Sequence, residues 1–294
     1  MDPLTLSFAV INGLLLGGIY GGVALGLSLI FGVMRVINFA HGSFLMLAMY
    51  CSYLLWASLG VHPYVSILVT VPFLFGIGYA VQSVVISPLI RRERALVVEP
   101  TSALLLTAGV YLVVDNSVLM AFGPDVRSVT TDITYESIFV AGLPINIARL
   151  IGFAAAILVA FALSFWLKHS DMGRAIRATA QNRDAAAMSG INVPLIYNVT
   201  FGLGCAVLGL FGALLVPFFS ITPTIGLSFG IKSFLVVVLG GIGSIPGSIL
   251  GGLLLGVFES VAAQFVTATS AAIFSFGLFI VILLMRPAGL MGRA

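Results

Sequence analysis

Asn38, His41 and Ser43 stand close together between two long apolar runs. Asp115 and Asn116 lie inside another apolar run, and Glu259 inside a further one. Polar groups are costly among aliphatic side chains in a membrane, so each is a candidate for function. Their types suit hydrogen bonding to a polar solute, gating, or coupling to a cation. They do not assemble a catalytic set, and no nucleophile elbow or zinc-binding helix occurs. His41, His62 and His169 are too far apart to form a ligand spacing. Lys168 and Lys232 are the only lysines, and neither follows a glycine. That excludes the usual phosphate loop, so this chain is not expected to hydrolyse ATP itself. No cofactor and no metal is expected.

The elements that must carry these residues follow from composition. Of the 294 residues, 60% are hydrophobic and 8% charged, and the mean hydropathy is +1.19. Soluble domains usually carry about 25% charged residues. The bilayer is therefore the solvent for most of the chain, and helices of about 20 apolar residues satisfy their own backbone there. The fold expected is an all-α, polytopic transmembrane bundle, one membrane domain over residues 1–294. Eight apolar runs are visible: Phe8–Phe31, Phe44–Leu59, Tyr64–Ile86, Thr101–Phe122, Arg149–Leu167, Ile196–Phe219, Ser248–Val266 and Ala271–Met285. A ninth stretch, Phe234–Ile242, is too short to cross alone and reads as a half-helix or re-entrant piece. No Lys or Arg precedes Arg35, and the first run exceeds a signal-peptide core, so it is expected to remain as a span. Cys51 and Cys205 lie in apolar runs and read as packing residues. The net charge of +3 is carried in short loops, which argues against nucleic acid.

Basic loop residues predict orientation. Arg91, Arg92 and Arg94 form one cluster, Lys168, Arg174, Arg177 and Arg183 a larger one, and Arg286 and Arg293 close the chain. These are expected on the cytoplasmic side. The loop from Gly123 to Asn146 carries Asp125, Asp132 and Glu136 against Arg127, and is expected outside. An N-terminus outside and a C-terminus inside require an odd number of crossings, so eight to nine spans narrows toward nine.

Glycine recurs every four residues at Gly13, Gly17 and Gly21, and at Gly18, Gly22 and Gly26. Gly243, Gly247 and Gly251 repeat the spacing, with Gly252 and Gly256 beside them. Small residues four apart let helix backbones approach closely in lipid, so helix packing is expected of Gly13, Gly17, Gly21, Gly247 and Gly251. The echo between the two ends also hints at a duplicated unit.

The loop from Lys168 to Pro194 predicts a short amphipathic helix over Met172–Met188. Asp171 suits its N-cap, and Gly190 and Pro194 its end. Arg174, Arg177, Gln181 and Asp184 fall on one face, and Met172, Ile176, Ala180 and Ala187 on the other. Such a helix either lies in the lipid headgroups or docks on a partner.

Longer stretches carry a resemblance. RDAAAMSGI, Arg183 to Ile191, resembles the Ala-rich, glycine-ended cytoplasmic loop of ABC importer permeases. RVINFAHGSFLMLAMY (Arg35 to Tyr50), DMGRAIRA (Asp171 to Ala178) and VLGGIGSIPGSILGGLLLGVFES (Val238 to Ser260) are similar to segments of the branched-chain amino-acid, Liv-type permease family. The similarity reaches from about Asn12 to Gly289. The chain departs from the pattern at Asp115, where an amide is expected. The resemblance implies a multi-pass subunit of the bacterial inner membrane that takes up branched-chain or related amino acids. It implies as partners a second permease subunit, two cytoplasmic ATP-binding subunits and a periplasmic or extracellular substrate-binding protein. Arg174, Arg177, Arg183, Asp184 and Gly190 would couple to the ATPase. Asn38, His41, Ser43, Asn116 and Glu259 are candidates to line the pathway. A helix-cap network explains Asn38 and His41 as well as a gate does, and for Glu259 the plainer reading is an interhelical ion pair with Lys232. An importer of urea or short amides, or an ion-coupled amino-acid transporter relying on Asp115 and Glu259, are the alternatives.

Overall fold

The computed structural model describes residues 3–88, 101–140 and 142–292. Arg91, Arg92, Arg94 and Arg293 lie outside the described residues. The chain is helical nearly throughout: α1 Pro3–Met34, α2 His41–Leu59, α3 Pro63–Ala80 running into a π turn Val81–Ile86, and α4 Thr101–Phe122. A short α5, Asp132–Tyr135, precedes the hairpin β1 Ser137–Val140 and β2 Leu143–Asn146. Then follow α6 Ile147–His169, α7 Asp171–Gln181, α8 Arg183–Met188 and α9 Val193–Leu215. Last come α10 Ile225–Gly240, α11 Ile245–Ala262 and α12 Ala268–Met285. Among the described residues seven helices are long and apolar enough to cross a membrane, and α10 and α12 are shorter apolar helices.

Several boundaries differ from those read off hydropathy, each for a local reason. The stretch Phe234–Ile242 begins as the second half of α10, Ile225–Gly240, and ends in the turn beyond it. Gly226, Ser228, Gly230, Lys232 and Ser233 dilute its first half, so an average over the sequence misses it. Helix α11 starts at Ile245, before the expected Ser248, because the Ser244 hydroxyl accepts from Gly247 N at 3.1 Å and Pro246 fits the first turn. Asn192 and Pro194 do the same for α9, so Pro194 opens a span and does not close the preceding loop. The same helix ends at Leu215, ahead of Pro217, and not at Phe219.

Helix α1 runs through the centre, with Ile19, Val23, Ala24, Leu25 and Ile30 fully buried. Its glycines permit this. A Cβ on Gly17 would sit 2.5 Å from the Gly252 carbonyl oxygen, one on Gly13 2.6 Å from Val257 Cα, and one on Gly21 2.9 Å from Ser248 O. A Cβ on Gly252 would in turn strike Gly17 O. The early ladder of Gly13, Gly17 and Gly21 thus faces Gly252 and Gly256 between α1 and α11. Gly18 and Gly22 admit the rings of Phe153 and Phe211, and Gly26 the backbone of Gly204. Gly247 and Gly251 turn to the other side of α11, against Gly240 and Val236 of α10.

Loops at one end are pinned by Arg127. Its backbone pairs with Ile221 (2.9 and 2.7 Å), and its guanidinium donates to Phe122 O and the Tyr53 hydroxyl at 2.8 and 3.0 Å. At the other end the C-terminal segment docks on the last turn of α10, where Leu239 O and Gly240 O accept from Leu290 N and Met291 N.

Candidate translocation site

The polar residues between α1 and α2 occupy a doubled-back segment. Helix α1 ends at Met34, and Arg35 reverses the chain with φ of 55°, the one positive φ at a non-glycine among the described residues. Helix α2 begins at His41, yet its Nε2 lies 3.1 Å from Val23 O. Val23 precedes the end of α1 by about 16 Å of helix at 1.5 Å per residue. Six extended residues reach about 20 Å, so Arg35–Ala40 climb back alongside α1 before helix resumes. Irregular backbone at such depth is tolerated only under protein cover.

That cover comes from several elements. Phe39 N donates to Thr107 Oγ1 of α4 at 3.3 Å, and the same hydroxyl lies 3.2 Å from Ile37 O. Asn38 Oδ1 accepts from Ala40 N at 3.0 Å. Gly42 and Gly226 let the first turn of α2 touch the first turn of α10, since a Cβ on Gly226 would lie 2.9 Å from Gly42 O. Asn38 therefore closes the turn ahead of α2 through its oxygen, without capping the helix itself.

The remaining atoms are unspent. Asn38 Nδ2, His41 Nδ1, Ser43 Oγ and Asp115 Oδ1 are buried without a hydrogen-bond partner. A carbonyl can only accept, so His41 carries its proton on Nε2, toward Val23, and Nδ1 is a free acceptor. Ser43 is the neighbour whose hydroxyl reaches toward Asp115, without closing a hydrogen bond. No side chain caps α2, so its first N–H groups add their positive end to the same place. Beside them a cavity of about 200 Å³ is lined by Ile37, Asn38, Phe39, Leu104, Gly230 and Phe234. Asn38 lines this apolar recess, and the unpartnered atoms of His41, Ser43 and Asp115 lie behind it under protein cover.

Other candidates fall elsewhere. Asn116 is exposed, and its amide donates to Leu112 O of its own helix at 2.7 Å, while Asp115, one residue earlier, turns inward. Glu259 of α11 is ion-paired with Lys232 of α10 at 2.7 Å. Lys232 also donates to the Tyr20 hydroxyl, one turn of α1 from the Val23 carbonyl that holds His41. The loop helix forms as two helices and not one. Asn182 is extended (φ −149°), ends α7, and caps α8 by accepting from Asp184 N and Ala185 N at 3.1 and 3.0 Å. Ser170, not Asp171, caps α7, accepting from Gly173 N at 2.9 Å, and Asp171 pairs with Arg174. Helix α7 buries Gly173, Ile176 and Thr179 against the bundle. Arg174, Arg177, Gln181 and Asp184 are exposed, as is Ala187, which the break at Asn182 turns away from the buried face. Arg183 lies over the Tyr197 ring at 5.9 Å, and Gly190 ends α8 with φ of 84° in open space. Thr107 and Asn182 were not singled out by sequence. A lone threonine in a span and an asparagine inside a helix-forming run carry no motif.

Residues 9–284 match the family described as branched-chain amino acid transport system / permease component. The chain is 33% identical over 96% of its length to the high-affinity branched-chain amino acid transport system permease protein LivH of Salmonella typhimurium, covering 94% of that protein. It is 33% identical over 97% of its length to the corresponding protein BraD of Pseudomonas aeruginosa, covering 95%. It is 26% identical over 92% of its length to the probable branched-chain amino acid transport permease protein LivH of Methanocaldococcus jannaschii, covering 87%. No solved structure matches.

Proposed function

The chain belongs to the branched-chain amino acid permease family, and we propose that it forms half of the membrane pathway of an ATP-driven importer for branched-chain or related amino acids. The observation that carries the proposal is the α7–α8 elbow. Its inner face is buried under the bundle, and its outer face presents Arg174, Arg177 and Asp184, then Ala185, Ala187 and Met188, with Met188 83% exposed. A charged rim around a small apolar tip suits insertion into a groove of a cytoplasmic ATP-binding subunit. Arg183, held over Tyr197, ties α8 to the base of α9, so a push on α8 is passed to a span whose far half packs against α1 and α2.

In this reading the N-terminus and the β1–β2 hairpin face outward, where a substrate-binding protein delivers its cargo. The C-terminus is cytoplasmic. A second permease subunit completes the pathway, and the chain resides in a bacterial inner membrane. The start of α2 supplies the polar contacts: Asn38, His41, Ser43 and Asp115 meet the charged backbone groups of the solute, and the apolar recess its side chain. An ion-coupled transporter fits less well, because Glu259 is already neutralised by Lys232.

The test is reconstitution. The chain, its permease partner and two ATPase subunits are placed in proteoliposomes with the binding protein outside. Leucine uptake should require ATP inside and survive collapse of the proton gradient at constant ATP. Uptake by this chain alone under an ion gradient would overturn the reading.

A further inference from the structure

The Lys232–Glu259 pair is placed in a way that a purely structural pair would not need. Lys232 Nζ donates to both carboxylate oxygens of Glu259, at 2.7 and 2.9 Å, and to the Tyr20 hydroxyl at 2.9 Å. It also sits 4.5 Å from the centre of the Tyr20 ring. Its three donors are therefore spent. Glu259 is not spent: two oxygens offer about four acceptor sites and receive from one ammonium. The side chains of Lys232 and Glu259 remain 26% and 20% exposed, although both residues lie within apolar helices.

That exposure opens into cavities. One, of about 190 Å³, lies between α10, α11 and α12, and is walled by Ile231, Leu235, Leu255 and Phe276, with the pair as its polar end. A second, also about 190 Å³, lies between α1 and α11, walled by Leu16, Gly256 and Ala263. Glu259 borders both. At about 30 Å³ per water, either holds roughly six waters' worth of volume, room for a single small amino acid.

We propose that Lys232 and Glu259 form a transit site for an α-amino acid zwitterion, with the cavity between α10, α11 and α12 receiving its aliphatic side chain. The proposal rests on the permease reading above and names a second stop along that route. The solute's ammonium takes the free acceptor sites of Glu259, and its carboxylate takes Lys232. Each protein charge exchanges one opposite partner for another, so no uncompensated charge is left in the low-dielectric interior at any point of the exchange. A solute with one charge cannot do this. Either an ammonium or a carboxylate alone would strand one member of the pair.

The experiment uses the full transporter in phosphatidylcholine proteoliposomes. Replacing the pair by an apolar one, Lys232→Met with Glu259→Leu, leaves a structural role intact, since well-packed apolar residues commonly replace a buried ion pair without loss of stability. The expected result is a melting midpoint like that of the parent and leucine uptake reduced at least tenfold. Uptake within twofold of the parent overturns the transit site while leaving the importer reading standing. Absence of ATP-dependent uptake in the parent itself would strike the importer reading instead. A second arm does not depend on that variant folding. In a Ser228→Cys transporter the thiol lines the first cavity, and its alkylation by N-ethylmaleimide is followed with each solute. L-leucine should slow it at least threefold, while isocaproate, lacking the ammonium, and isoamylamine, lacking the carboxylate, should not. Equal protection by all three, or by none, overturns the proposal. Protection by added phosphatidylethanolamine and not by leucine assigns the pair to a lipid headgroup and overturns it likewise.

Discussion

His41 Nε2 reaches Val23 O across 3.1 Å, so the first residue of α2 is fastened to α1 well before α1 ends. With the Phe39–Thr107 bond and the Gly42–Gly226 approach, this contact sets the depth at which the doubled-back segment stops and helix resumes. His41→Leu should cost about 1–3 kcal/mol, because Val23 O loses its side-chain donor and the neighbouring polar atoms lose their register. His41→Gln, which can still donate to Val23 O, should recover most of that stability. Uptake should stay low in both variants if Nδ1 contacts the solute. Thermal melting of the purified complex and leucine uptake, compared across the two variants, separate anchoring from contact.

Glycine substitutions should divide sharply by position. Gly17→Ala and Gly252→Ala each push a Cβ into backbone of the facing helix, and each should destabilise by about 3 kcal/mol or more. Gly109→Ala and Gly277→Ala meet nothing within 4 Å and should be neutral or slightly stabilising. Yield of monodisperse protein in mild detergent and its melting midpoint are the measurements.

The elbow should be separable from the bundle. Asn182→Ala removes the cap of α8, at about 1 kcal/mol, and should let α7 and α8 merge. Arg183→Ala releases α8 from Tyr197. At Gly190 the left-handed backbone makes alanine cost about 1–2 kcal/mol although no neighbour obstructs it. All three variants should insert normally, hydrolyse ATP in complex, and transport at least fivefold less leucine per ATP consumed. Transport-to-hydrolysis ratios equal to the parent's would remove α8 from the coupling path.

Sidedness is testable by thiol labelling. Cys205 is buried and Cys51 half-buried, so both should react slowly. Glu136→Cys, beside the hairpin, should be labelled by a membrane-impermeant maleimide added to intact spheroplasts. Met188→Cys should be labelled only after permeabilisation. The reverse pattern would invert the orientation.

Much of this was legible in the sequence, and the reasons differ by feature. Membrane residence follows from the scarcity of charge, and the glycine ladders from their four-residue spacing. What spacing alone cannot show is which ladders meet, because Gly17 and Gly252 come together only through the fold. Helix α10 was half hidden, since glycine, serine and Lys232 in its first turns lower its hydropathy although Gly226 and Ser233 are buried. The break at Asn182 was invisible because an asparagine in a run of good helix formers is as compatible with continuation as with a cap. Of the polar pair Asp115–Asn116, sequence put the amide forward. Helical rotation, which the two letters do not show, directs Asp115 toward Ser43 and Asn116 outward.

The reciprocal glycine contacts between α1 and α11 also constrain how this chain can change over time. At most packed positions a larger residue on one helix is offset by a smaller one opposite. Where Gly17 meets Gly252, both sides are already at the minimum, and no replacement opposite can make room. Suppressors of a Gly17 substitution should therefore never map to Gly252. They should map to residues that let one helix axis move as a unit, and the first divergence between related chains at this seam should be a shift of the whole helix and not an exchange of partners.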